Sequence, residues 1–282
     1  MNYFRYILIT VFCLLISGCG IKFWYNQLDW VVPWYLDDLV ELSGQQENQL
    51  EQVLRLKTNW HRKQELPKYI EWLDQLEQDI EQDQAISRYQ AHQDKLSYFY
   101  QSLLSEFSGD IINLVNTLTP QQIDEIEQNL SKDDNEWRES VDELSEQELL
   151  ERRYERLKAN VEEWLGSINQ NQEMIVSQWA QQVMPSRELR LSYRKVWRAE
   201  MKKTLNQPKS QARDTQLLEL IQNGQALQSE ELKMIGQYNR KLTVFFIDKI
   251  YQEMEPKQKQ SLLEKLREYK NDFNDLYQES SV

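Results

Sequence analysis

The chain has 282 residues and a formal net charge of −13 at pH 7. So acidic a protein lacks the basic footprint that phosphate backbones require, which excludes nucleic acid as a partner. Glycine (7) and proline (6) are scarce, and few turn residues mean few turns, hence long helices rather than many short strands.

Residues 1–18 predict a signal segment. Arg5 is the only charged side chain before Cys19, and Tyr6 to Ile16 is an apolar or weakly polar run. That run is short for a permanent span, which needs about 20 apolar residues, and a short apolar run behind a positive start is the profile of a secretory signal. Ile16-Ser17-Gly18-Cys19 then has the form of a bacterial lipobox: an aliphatic residue, two small residues and a cysteine. Cys19 is therefore the expected lipid attachment site, and two or more acyl chains there give a stable membrane anchor. Of the two cysteines, Cys13 leaves with the signal and Cys19 is alkylated, so stability must come from packing rather than from disulfides. Gly20 stands where enterobacterial lipoproteins retained at the inner membrane carry Asp. Resemblance to that scheme implies an outer-membrane address facing the periplasm.

Residues 19–43 form an aromatic-rich segment with no Ser/Gly tether: Phe23, Trp24, Tyr25, Trp30, Trp34 and Tyr35. Two placements are open. Trp and Tyr suit the membrane–water interface, and they are equally at home packed back onto a helical core.

Residues 44–282 read as one all-α domain of long antiparallel helices joined by short loops. Ser43-Gly44-Gln45-Gln46, Thr119-Pro120-Gln121-Gln122 and Ser145-Glu146-Gln147-Glu148 are capping boxes, and Glu255-Pro256-Lys257-Gln258 is a weaker copy. Apolar spacing predicts a helix over about 44–66, broken or kinked by Pro67, and its continuation through Tyr69, Leu73 and Ile80. Further stripes run Ile86–Leu118, Leu150–Val183, Leu189–Leu205, Leu232–Ile250 and Leu262–Phe273. Ser131–Asn135 and Asn206–Arg213 read as loops.

Chemistry-bearing constellations are thin. His61 and Glu65 sit four apart on one helix face, two donors where a closed metal site needs about four, so no metal and no cofactor is expected. Asp37, Asp38 and Glu41 cluster behind the aromatic segment. Glu139-Ser140 and Glu279-Ser280 echo a dipeptide of wall-cleaving lysozyme-like enzymes without its context. Nucleophile elbows, phosphate loops and zinc-protease motifs are absent, so no catalytic residue is assigned and a non-enzyme is expected. Charge is segregated instead. Gln121–Glu151 holds 12 acids against Lys132 and Arg138, whereas Arg187–Lys203 holds 7 bases against Glu188 and Glu200. Arg187, Arg190, Arg194, Arg198 and Lys202 form a basic stripe that either docks an anionic partner or lies along the chain's own acidic helix.

The stretches YNQLDWVVPWYLDDLVELSGQQ (Tyr25–Gln46) and NWHRKQELPKYIEWL (Asn59–Leu73) resemble an uncharacterised family of proteobacterial lipoproteins, and MEPKQKQSLLEKLREYKNDF matches its closing segment loosely. The resemblance implies a helical envelope lipoprotein and carries no catalytic residue. Leu118-Thr119-Pro120-Gln121-Gln122 is also similar to the LTxxQ helix starts of Spy-type periplasmic chaperones. Three roles follow as expectations: a lipid-anchored module that binds another envelope protein or is structural, a chaperone-like client binder, or a wall or lipid hydrolase with an unrecognised carboxylate site.

Overall fold

The computed structural model describes residues 20–279. The signal segment, Cys19 and Ser280 lie outside the described residues. The elements are α1 (Gly20–Tyr25), α2 (Leu28–Asp37), α3 (Gly44–Gln64), α4 (Leu66–Glu81), α5 (Tyr89–Val115), α6 (Pro120–Asp142), α7 (Glu146–Leu165), α8 (Gln170–Gln182), α9 (Arg187–Leu205), α10 (Gln211–Asn223), a 3-10 turn (Gly224–Leu227), α11 (Glu230–Gln252) and α12 (Pro256–Glu279). Among the described residues there is no strand, and no helix is long and apolar enough to cross a membrane. The expected all-α architecture of long helices is what the chain adopts.

Helix starts follow the sequence closely. Ser43, Thr119 and Ser145 each accept from the backbone N–H three residues on, and Gln46, Gln122 and Glu148 reach back to the cap. Each box satisfies two backbone donors that the helix leaves without partners. Pro67 falls in the first turn of α4, where it costs no hydrogen bond, and the chain breaks at Glu65.

Three expectations are corrected. Ser131–Asn135 is helical, inside α6; its polar run marks a buried charge pair at Asp134 rather than a loop. The Leu150–Val183 stripe is two helices. Gly166 ends α7 in the left-handed region at φ 72°, a conformation that favours glycine, and Asn169 opens α8 with a further capping box to Gln172. Finally, Asn206–Arg213 is a loop only in part, because Ser210 caps α10, which buries Arg213 and Leu217.

The residues pack into two compact units. One comprises residues 20–38, Leu42–Phe99 and residues 263–279; the other comprises Leu39–Glu41 and Tyr100–Leu262. In the first, Leu66, Leu73, Ile80, Leu266 and Leu276 are buried, and the Tyr69 ring lies 4.6 Å from Phe99 and 6.0 Å from Phe273, joining α4 to α5 and α12. In the second, Leu165, Val176, Trp179, Leu242, Phe246 and Ile250 form the core, with Trp179 stacked on Phe246 at 5.9 Å. Two of the crossings between units fall inside α5 and α12 rather than in loops, which is why no linker composition marks them.

Candidate functional site

The N-terminal helices are held firmly but incompletely covered. Lys22 of α1 pairs with Asp275 and Glu279 of α12, each at 3.0 Å, and these contacts raise the pKa of the lysine. Asn26 donates to Glu279 and accepts from Arg62 of α3. The Tyr25 hydroxyl lies 2.8 Å from His61 Nδ1, and His61 Nε2 lies 3.3 Å from the Tyr69 hydroxyl. Both imidazole nitrogens thus face phenols. Burial pushes Tyr25 up to about 12, opposed by the Arg62 charge, raises Tyr69, and lowers His61 against the smaller pull of Glu65. Glu65 itself is buried and bound by Lys68 at 2.7 Å. Among the described residues no group of three or more His, Cys, Asp or Glu side chains is placed to hold a metal ion.

The aromatics divide. Trp24 and Tyr25 are half-buried, whereas Phe23 is 54%, Trp30 56%, Trp34 53% and Tyr35 61% exposed. Trp30 and Trp34, one turn apart on α2, stack with centroids 6.2 Å apart. The α2 sequence is LDWVVPWYLD, yet none of its residues is fully buried. Packing back onto the helical domain, one of the two placements open from sequence, therefore holds for Trp24 and Tyr25 only.

The basic stripe of α9 runs along α6. Arg187 reaches Asp142 at 3.5 Å, Arg194 reaches Asp134 at 2.8 Å, and Lys202 reaches Asp124 at 2.7 Å. Arg198 is buried with Asp134 and approaches Glu127 at 3.5 Å. Arg190 donates to Ser186. The opposite charges of the two helices meet each other, which was the second of the two placements open from sequence.

A buried polar cluster escaped the sequence reading. Asp79 of α4 accepts from Arg88 at 3.0 Å, from Gln75 at 2.9 Å and from His92 Nε2 at 3.1 Å. The Trp72 indole N–H, which can only donate, points at His92 Nδ1 from 3.2 Å. Nδ1 must accept, so Nε2 carries the proton and gives it to Asp79. The imidazole is engaged on both sides, so this His–Asp pair locks α5 onto α4. It borders a cavity of about 440 Å³ lined by Lys68, Glu71, Asp74 and Lys95 among others. The signal was available as an Asp79–His92 pair, but thirteen residues and a turn separate them, a spacing with no helical period.

The carboxylates singled out from sequence stay apart from this cluster. Asp37, Asp38 and Glu139 are exposed, Glu41 offers its backbone N–H to Glu125, and Glu279 is engaged by Lys22 and Asn26. Two apolar cavities lie elsewhere, of about 230 Å³ between α5, α6, α9 and α10 and about 260 Å³ between α7, α8, α11 and α12.

Residues 38–233 match the profile of a family of unknown function, DUF6279. The chain belongs to DUF6279. No curated protein and no solved structure matches it. The DUF6279 match takes in α3 to α10, including the paired α6 and α9 and the Asp79–His92 lock. The exposed aromatics of α1 and α2 precede it.

Proposed function

We propose that this DUF6279 protein is a bacterial lipoprotein, acylated at Cys19 and facing the periplasm from the outer membrane, whose helical part is a non-enzymatic binding or structural module of the envelope. One observation carries the reading: the lipobox Ile16-Ser17-Gly18-Cys19 follows a short apolar run behind Arg5, and Gly20, the next residue, already lies in helix α1. Processing at that cysteine would leave an acyl chain directly on α1. Arg187, Arg194, Arg198 and Lys202 of the basic stripe already pair with acids of α6, which leaves Arg190 and the exposed side of Arg194 as its cations open to an anionic partner.

Mass spectrometry of the amino-terminal peptide from native membranes tests this. A diacylglyceryl-modified Cys19 with residues 1–18 removed is the expected result, and Cys19→Ser abolishes the modification. An intact Met1 with an unmodified thiol overturns the reading.

A second reading, a client-binding chaperone, draws on the LTxxQ-like start of α6 and on the two apolar cavities. Suppression of aggregation of an unfolded client at stoichiometric protein is its test; no suppression at molar excess ends it.

A further inference from the structure

The helices α1 and α2 present an apolar face whose cover is missing. Phe23, Trp30, Trp34 and Tyr35 are each more than half exposed, and α2 buries none of its residues fully despite its composition. Scattered exposed apolar side chains are ordinary, but the stacked, exposed pair Trp30 and Trp34 marks a contact surface. We propose that this face is an interfacial membrane element: the four rings sit at the head-group level of the same bilayer that holds the Cys19 lipid. The proposal rests on the acylation reading above.

The length of chain outside the described residues names the occupant. Cys19 is four residues before Phe23, so the chain can carry Phe23 no more than about 14 Å from the lipidated residue. No tether lets the segment leave the surface. The segment cannot swing away either, since Lys22, Tyr25 and Asn26 bind it to α12 and α3. Whatever lies at the lipid is what the aromatics meet. Trp and Tyr are the side chains suited to that depth, with an apolar ring and a wet polar atom.

Charge sets the lipid class. Lys22, the one cation between Gly20 and Asp38, is held by Asp275 and Glu279, while Asp29, Asp37 and Asp38 are exposed. Electrostatic attraction to anionic head groups is therefore not the source of binding. Aromatic burial is, and zwitterionic lipid is the preferred surface.

The acylated protein, purified from bacterial membranes and reconstituted in phosphatidylcholine vesicles with brominated acyl chains, tests this by tryptophan fluorescence. The wild type is expected to be quenched, and Trp30→Phe with Trp34→Phe is expected to lose most of the quenched fraction. Phenylalanine keeps the ring, and both positions are exposed, so folding is preserved; far-ultraviolet circular dichroism checks it. Adding anionic lipid is expected to leave quenching unchanged or reduce it. Equal quenching in both proteins, or full access of aqueous iodide to Trp30 and Trp34, overturns the proposal. Shielding from iodide without quenching by brominated lipid also overturns it, in favour of a protein partner or a second copy of the chain. The amino-terminal mass from the same sample separates the two levels. Absent acyl chains sink the lipoprotein reading, whereas acylated protein with Trp30 and Trp34 unquenched sinks only the interfacial one.

Discussion

Gln172 and Gln258 exchange two hydrogen bonds, Nε2 to Oε1 at 3.0 Å in one direction and 2.7 Å in the other. Each is the third residue of a helix, and each Oε1 also accepts the backbone N–H of the residue before that helix, Asn169 for α8 and Glu255 for α12. Both side chains are almost wholly buried. Replacing either by Leu strands the other amide and removes a cap. Gln172→Leu and Gln258→Leu should each cost about 3 kcal/mol, read from urea midpoints. The double variant should cost less than the sum of the two, because neither side-chain amide is left buried without the other and only the two backbone caps are lost.

His61 gives the fold a dependence on pH. Burial lowers its pKa below the ordinary 6.5, so near and below that pH the unfolded chain binds a proton that the folded chain refuses. Stability is complete above the unfolded value and falls as the pH drops towards the folded one. The denaturation midpoint should decline between neutral and mildly acidic buffer. His61→Gln, which keeps an acceptor for Tyr25 without a titrating ring, should flatten that decline.

Arg198 and Asp134 form a buried pair with Arg194 at its edge. Asp134→Ala leaves the Arg198 cation buried without its carboxylate and should cost ~3–5 kcal/mol. Replacing both, Asp134→Leu with Arg198→Met, should recover much of that loss. Arg190, bonded only within its own first turn, should tolerate Ala to within about 0.5 kcal/mol. Thermal unfolding of the four proteins is sufficient to rank them.

Gly166 is required by its backbone. At φ 72° an L side chain is strained, and a Cβ there would also sit 3.0 Å from Ser261 Oγ. Gly166→Ala should destabilise by ~1–2 kcal/mol, and Gly166→Asn by less, because Asn tolerates the left-handed region. The same unfolding curves distinguish them.

Much of the architecture was legible because its signals are local. Ser43, Thr119 and Ser145 announce their helices with a partner three residues on, and the stripes of α3, α5, α9, α11 and α12 repeat at helical spacing. What failed to show depends on partners far along the chain. Asp134 reads as part of a loop until Arg198 is seen beside it. Leu217 is one of four apolar residues in Leu217–Ile221, and which of them is buried is decided only when α10 folds against α9. The Asp79–His92 lock is set by how α4 meets α5, which periodicity does not encode. The exposure of Trp30 and Trp34 is likewise a property of what fails to cover them, and composition suits a core as well as an interface.

The salt links from Lys22 to Asp275 and Glu279 have a consequence for biosynthesis. A chain grows from its amino end at about 5–20 residues per second, so the α12 partners of Lys22 emerge last, on the order of ten seconds or more behind it. Until then the first helix has the α3 contacts of Tyr25 and Asn26 but not its salt links. A chain truncated ahead of Asp275 would leave that end held by α3 alone, and a carboxy-terminal tag placed near Glu279 would weigh on the opposite terminus rather than on its own neighbourhood.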